Sequence, residues 1–317
     1  MNKESLRTEC TRLFRVNTIS DCIDLLDIYS ECLFQIVQNH HDEPVYTYHE
    51  ADAKIVLQMI LTKVLHLKNN IIGVSYKSKD GTRLNKIIDP TIVASLTRNI
   101  YETVGLFNLI YRYSDNPDER YITYLLWVHS GLVYRQRFES VITSDESRLK
   151  FEKEKEEIES IKSAIEKTEL YSKLDEKNKA KIQNRLKEKE YLIRFEGTNV
   201  IFMHWHQLIE TMRIKAGLLE NIYTYFSQYS HPSNVSIFQF QHMFDKGEEA
   251  FLDITIFNLK IAFFMFSLFI ADYLHSFPQV QKTFDALNIR DQIIIDFYNK
   301  SARGGDYQIN DSWKACE

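Results

Sequence analysis

Residues 217–236 read GLLENIYTYFSQYSHPSNVS, and this stretch sets the reading of the rest of the chain. Leu218, Leu219, Ile222, Tyr225, Phe226 and Tyr229 supply apolar surface at helical steps, and Glu220, Tyr223, Ser227 and His231 recur three or four residues apart, along one face. Pro232 disfavours helical backbone at the residue before it, so the pattern predicts a helix that ends at His231 and passes into a Ser/His/Pro/Asn turn. A histidine in that position, with a hydroxyl one turn back, is placed to act as a general acid or base. It is equally placed to complement the negative end of the helix dipole and to hydrogen-bond the turn.

Outward from this helix the composition supports the same fold class. Of 317 residues 44% are apolar, with 20 Phe and 18 Tyr, whereas only 9 Gly and 5 Pro interrupt the periodic segments. Long periodic runs with few turn residues predict an all-α protein, a multi-helix bundle, over many short strands. A formal charge of −5 carries no global basic signature of the kind that drives nonspecific nucleic-acid binding. Cys10, Cys22, Cys32 and Cys316 are scattered without CxxC spacing, which fits reduced thiols and a cytoplasmic location. The N-terminal MNKESLRTECTRLF has no apolar signal core. The most lipid-like run, Ile261–Ala271, is shorter than the roughly 20 residues a bilayer span requires. It reads as a core helix, with no membrane partner.

Residues 1–143 read as the N-terminal part of the bundle. One or two helices occupy residues 1–40, with Ser20 or Asp21 as a cap, and another follows from Tyr48 to Asn70. Between them the His40–His49 loop gathers three histidines and two carboxylates, either a solvated loop or a metal site. Residues 71–88 read as a β-hairpin or a long loop. Asp89 as N-cap and Pro90 at the first helical position open a helix to Tyr113, with Val93, Leu96, Ile100, Val104, Phe107 and Tyr111 on one face. Its other side holds Arg98 and Glu102, an i,i+4 pair among Ala94, Gly105 and Leu109. This is an ordinary surface pair or a polar site facing the Ser227/His231 helix. Tyr121–Phe138 resumes as an aromatic-rich helix.

From 144 to 196 the composition turns to dense Glu and Lys with thin apolar repeats at Ile158, Ile161, Ile165, Ile182 and Leu186. That pattern predicts a solvated helical hairpin inserted into the bundle, turning near Ser172–Lys177, with a protein-partner surface as its functional option. Residues 197–300 read as the C-terminal part of the same bundle, and 301–317 as a loose tail. Within the C-terminal part, His206 and Glu210 are spaced as a helical pair that either hydrogen-bonds or shares a metal. No GxGxxG, Walker A, GxSxG, HExxH or EF-hand pattern is present, and the paired Glu-x-x-His of di-iron bundles is missing; no cofactor and no metal are expected.

At Arg98-x-x-x-Glu102 and Tyr223…Ser227-x-x-x-His231-Pro232-Ser233 the chain resembles a bacterial all-helical family, domain of unknown function 5677, over roughly residues 50–275. More distantly it is similar to HEPN domains, helical bundles that often act as metal-independent RNases in toxin and phage-defence systems. Their motif is Arg, four to six residues, then His, at a dimer interface. Phe226, Tyr225 and Thr224 stand at the matching positions before His231, so the motif is absent and the arginine would come from Arg98 on another helix. The likeness implies RNA as partner, a homodimer, His231 moving the proton, Arg98 stabilising phosphorane charge and Glu102 orienting Arg98, with Tyr223, Ser227 and Ser233 binding substrate. The competing expectation is a non-catalytic interaction or scaffold protein in which these residues form a buried structural network.

Overall fold

The computed structural model describes residues 2–231, 233–246 and 248–317, apart from the side chains of Tyr48, Asn85, Asp245 and Glu248; Pro232, which the sequence makes the helix terminator, lies outside the described residues. Fourteen α-helices and two two-stranded antiparallel hairpins account for the regular structure among these residues, so the all-α expectation holds. The chain divides into two compact units, residues 1–107 with 212–317, and residues 108–211.

The first unit is laid around one helix. It contains α1 (Lys3–Arg15), α2 (Ile19–His40), α3 (Tyr48–Ile71), the hairpin β1 (Val74–Lys77) and β2 (Arg83–Ile87), and α4 (Pro90–Phe107). Its later elements share the unit, and the largest is α12 (Glu248–Ser276), packed against α4, α2 and α14 (Ile289–Arg303). Among the described residues α12 is the one helix long and apolar enough to cross a bilayer, and 72% of its apolar window is buried within the protein. Phe263, Phe266, Phe269 and Ile270 are sealed in the core, where Tyr29 and Ser267 share a 2.8 Å hydroxyl–hydroxyl hydrogen bond. Helix starts follow capping chemistry. Thr18 caps α2 with Asp21 in a reciprocal capping box, in place of the Ser20 or Asp21 cap expected, and Asp89 Oδ1 accepts from Thr91 N at 2.8 Å ahead of Pro90, as expected. Residues 71–88 form the β-hairpin that the sequence left open against a loop.

Burial without a partner would be costly for the ions of this core, and Arg303 and Asp272 meet that cost together. Arg303 makes a two-pronged contact to Asp272, through Nη1 at 2.8 Å and Nη2 at 2.5 Å, while its Nε donates to the Met212 carbonyl at 2.8 Å. The C-terminal stretch read above as loose is anchored. Trp313 lies 6.2 Å from Phe297 and 6.1 Å from Phe14, centroid to centroid, and its Nε1 donates to Asp296 Oδ2 at 2.7 Å. Ile309 N donates to Asp296 Oδ1 at 2.9 Å. Polarity suggested a loose tail; one aromatic and one buried carboxylate outweigh it.

The second unit opens on a π-helical turn (Asn108–Arg112) and contains α5 (Pro117–Gln136), α6 (Asp145–Glu166), α7 (Glu169–Lys173), α8 (Glu176–Glu188), the hairpin β3 (Ile193–Glu196) and β4 (Asn199–Phe202), and α9 (Leu208–Thr211). The Glu/Lys-rich stretch thus folds as three helices, turning over residues 167–175, within a unit wider than 144–196. The isoleucines at thin intervals are the buried stripe: Ile158, Ile161, Ile165, Ile182 and Leu186 are all at or below 9% exposure. α6 and α8 lean on α5, and Arg135 of α5 holds the buried Glu154 of α6 through Nε at 3.0 Å. The β3–β4 hairpin, unforeseen in the sequence reading, turns at Gly197, whose φ of +61° suits a residue without Cβ.

Candidate functional site

The helix on which the site reading rests is shorter than the apolar pattern suggests. α10 runs from Ile222 to Ser230, and residues before it form turns, with Gly217, Leu219 and Asn221 at positive φ. Glu220 therefore stands outside the helix, and Tyr223, Ser227 and His231 do not share a face with it. At the other end the expectation holds: His231 has extended backbone, φ −119° and ψ 138°, as a residue preceding proline should.

α10 packs on α4, and two polar contacts fix its position. Arg98 Nη2 donates to the Tyr223 hydroxyl at 2.7 Å, and the guanidinium carbon sits 4.7 Å from the centre of the Tyr223 ring. Arg98 Nε donates to Glu102 Oε1 at 2.9 Å, with 18% of the Arg98 and 26% of the Glu102 side chain exposed. Tyr101, buried on α4, places its ring 5.7 Å from that of Tyr223. One turn of sequence away, the Tyr225 hydroxyl donates to Asn258 Oδ1 at 3.1 Å, and Asn258 Nδ2 donates to the Pro90 carbonyl at 3.2 Å. Burial pushes the Tyr225 phenol above its ordinary range, which keeps it a donor. Asn258 and Tyr225 are functional parts of this arrangement that the sequence reading missed; a lone asparagine in the apolar run of α12 was the available signal.

The structure thus brings Arg98, Glu102 and Tyr223 together and leaves the other three residues apart from them. Ser227 Oγ donates to the Tyr223 carbonyl at 2.8 Å, a back-bond within its own helix. Ser233 Oγ accepts from Ser236 N at 3.1 Å and donates to the Gln228 carbonyl at 3.0 Å, capping α11 (Asn234–Lys246) and tying it to the end of α10. His231 is exposed, and among the described residues its side chain makes no hydrogen bond or ion pair. From Tyr223 to His231 the helix rises about 12 Å at 1.5 Å per residue. Among the described residues no hydrogen bond joins His231 to Arg98, Glu102 or Tyr223.

Two cavities of the first unit lie elsewhere. One of about 810 Å³ is lined by Arg83, Lys86, Ile87, Phe251, Asp253 and Ile256 among others, and one of about 450 Å³ by Asp27, Glu31, Phe34, Arg290 and Asp291 among others. Neither includes Arg98, Glu102, Tyr223, Ser227 or His231. The remaining histidines flagged in the sequence have protein partners. His40, 3% exposed, meets Glu43 Oε1 at 2.7 Å through Nδ1 and Thr283 Oγ1 at 2.8 Å through Nε2, so the start of its loop is a fixed core contact. Glu210, spaced to share a metal with His206, instead accepts from Arg194 Nη1 at 2.5 Å, while the His204 and His206 rings stack 5.7 Å apart. Among the described residues no three His, Cys, Asp or Glu side chains converge as a metal ion would need.

No curated protein and no solved structure matches the chain. One family model does, the family of unknown function (DUF5677), over residues 87–249. That span runs from the Pro90 start of α4 through the Arg98–Glu102 pair and α10 to the end of α11, about half of the 317 residues, and the chain belongs to this family.

Proposed function

We propose that this protein is a non-catalytic interaction protein whose Arg98–Glu102–Tyr223 cluster is a structural clamp. The observation that carries this reading is that Arg98 spends its donors on Glu102 and Tyr223, outside the two cavities named above, with the acid–base candidate His231 eight residues beyond Tyr223. What the clamp fixes is α10, and through the Ser233 cap the orientation of α11. That helix is buried through Ser236 and Met243, yet it exposes Val235 and Phe238 on one flank and Ile237 and Phe244 on the other, each about half or more accessible. A row of large apolar side chains on both flanks of a helix is wider than the surface it rests on, and this suits a protein partner that supplies an apolar groove or helix. The charged outer faces of α6 and α8 are the second partner surface under this reading.

The second reading is the metal-independent ribonuclease implied by the HEPN likeness, with a bacterial phage-defence role, a cytoplasmic location and RNA as partner. The observation in its favour is the unengaged, exposed His231 imidazole at the end of the helix that carries Tyr223. Under it His231 would transfer the 2′-hydroxyl or leaving-group proton, Arg98 would balance phosphorane charge, and a second copy would complete the site.

Incubation of total RNA with purified protein, beside folded His231→Ala and Arg98→Ala, separates the two. The clamp reading expects no cleavage by any form and a lower melting midpoint for Arg98→Ala alone. Cleavage by the wild type that both folded variants lose would replace it with the ribonuclease reading.

A further inference from the structure

Two of the four cysteines lie where the C-terminal segment crosses α1, near enough for Cys316 to act on the Cys10 thiol. Arg7, Cys10 and Phe14 fall on one stripe of that helix, at steps of three and four residues. Phe14 holds the segment at one end through the Trp313 ring, 6.1 Å away. Arg7 holds it at the other, its Nε donating to the Cys316 carbonyl at 2.7 Å and its Nη2 to the Glu317 carbonyl at 3.3 Å. Cys10 lies between the two anchors on α1, and Cys316 is the tail residue whose carbonyl Arg7 holds. Cys10 is 2% exposed and Cys316 is half-buried, whereas Cys22 and Cys32 are sealed in the core at 0% and 1%.

We propose that Cys10 and Cys316 are a redox modification site, closing reversibly to an intramolecular disulfide in exchange with a low-molecular-weight disulfide such as oxidised glutathione. The anchors hold the tail along the Cys10 stripe of α1 without help from the bond itself, which keeps the two thiols in the same neighbourhood before any bond forms.

Accessibility and acidity set the order of the two steps. Burial first, and then the neighbouring Cys316 sulfur, push the Cys10 thiol up to about 12, so it stays protonated and shielded while Cys316 meets solvent. Cys316, the accessible sulfur of the two, attacks the small disulfide as its thiolate, its proton passing to solvent. The sulfur–sulfur bond of the reagent breaks, one small thiolate leaves and takes up a proton, and a mixed disulfide remains on Cys316. The Cys10 sulfur, giving up its proton, then attacks the Cys316 sulfur and expels the second small thiol. The protein loses two electrons and two protons, and the small disulfide gains both. About 300 residues lie between the two cysteines, so the closed form constrains a long loop of the unfolded chain and should melt higher than the reduced form.

The test exposes the full chain to buffers of graded oxidised-to-reduced glutathione ratio, followed by rapid alkylation, intact mass measurement and peptide mapping. The expected result is a monomer lacking two hydrogens, a Cys10–Cys316 cross-linked peptide, and alkylated Cys22 and Cys32 after unfolding. Cys10→Ser, and Cys10→Ala should the serine disturb the core, should stop at one glutathione on Cys316. Cys316→Ser should leave Cys10 unmodified in the folded protein. Glutathione accumulating on wild-type Cys316 without closure, modification of Cys10 in Cys316→Ser, or disulfide-linked dimers as the main product would each overturn the assignment.

Discussion

If Arg98 is a clamp, its removal should cost stability in an amount that its contacts predict. Arg98→Ala deletes a charge-assisted hydrogen bond to the Tyr223 hydroxyl, worth about 1.5–3 kcal/mol in general and toward the lower figure here because 18% of the arginine still sees water. It deletes a guanidinium–ring contact at 4.7 Å, worth about 0.5–1 kcal/mol at a partly exposed site. The helical pair to Glu102 adds only about 0.3–0.5 kcal/mol. Together these give a loss of about 2–4 kcal/mol. In a unit of roughly 200 residues each kcal/mol moves the midpoint by about 2–4 °C, so the unfolding midpoint should fall by at least 4 °C. Tyr223→Phe keeps the ring and drops only the hydroxyl, for about 1 kcal/mol, and Glu102→Gln should stay within about 0.5 kcal/mol. Calorimetry of the three variants and of Arg98→Ala/Tyr223→Phe measures both the ranking and the coupling. Arg98→Ala melting like the wild type, or Arg98 and Tyr223 effects that add without coupling, would refute the clamp.

Three further perturbations have definite expected outcomes. Arg303→Met removes the two-pronged partner of Asp272, itself 2% exposed, and urea unfolding should register a loss of about 3–5 kcal/mol that Arg303→Met/Asp272→Leu largely restores. Asn258→Ala orphans the Tyr225 hydroxyl and removes the second bond to the Pro90 carbonyl; hydrogen exchange should show α10 amides opening more readily, with about 1–3 kcal/mol lost. His129, 2% exposed with Nε2 unpaired, is held below its ordinary 6.5 by burial and by Lys162. The unfolded chain then binds a proton near pH 6.5 that the folded chain does not. Stability should accordingly fall as pH drops below 6.5, by up to about 1.4 kcal/mol per pH unit, and His129→Phe should flatten that slope in unfolding curves taken between pH 7.5 and 5.5.

The fold was legible where one period dominated. Pro90 after Asp89, the a/d-like spacing of Val93 to Phe107, and the isoleucine stripe in a Glu/Lys background all declare their faces, because burial of an amphipathic helix depends on local spacing alone. Legibility failed where a few residues overrode composition. Gly197 creates a hairpin through one positive φ, and Leu219 and Asn221 adopt the same region without being glycine, so nothing local announced that α10 begins only at Ile222. The C-terminal segment has no apolar period of its own, yet Trp313 finds Phe14 some 300 residues earlier, a contact that no window of sequence contains.

The site divides along the same line. Arg98 and Glu102 are four residues apart, so their pairing is a property of the helix and could be read directly; the bond from Arg98 to Tyr223 joins residues 125 apart and depends on how α10 is laid on α4. That placement is in turn set by Asn258 and Tyr225, whose types are ordinary and whose roles exist only in three dimensions. A motif of Arg, Glu, Ser and His therefore looks alike in sequence whether it gathers around a substrate or strings along two helices. Here three of its members close on one another and the histidine stands apart. The family pattern is explained at least as well by the need to fix α10 and α11 as by chemistry at His231. The amino acids of a clamp and of an active site are the same, and melting and RNA cleavage measured together on Arg98→Ala and His231→Ala distinguish them.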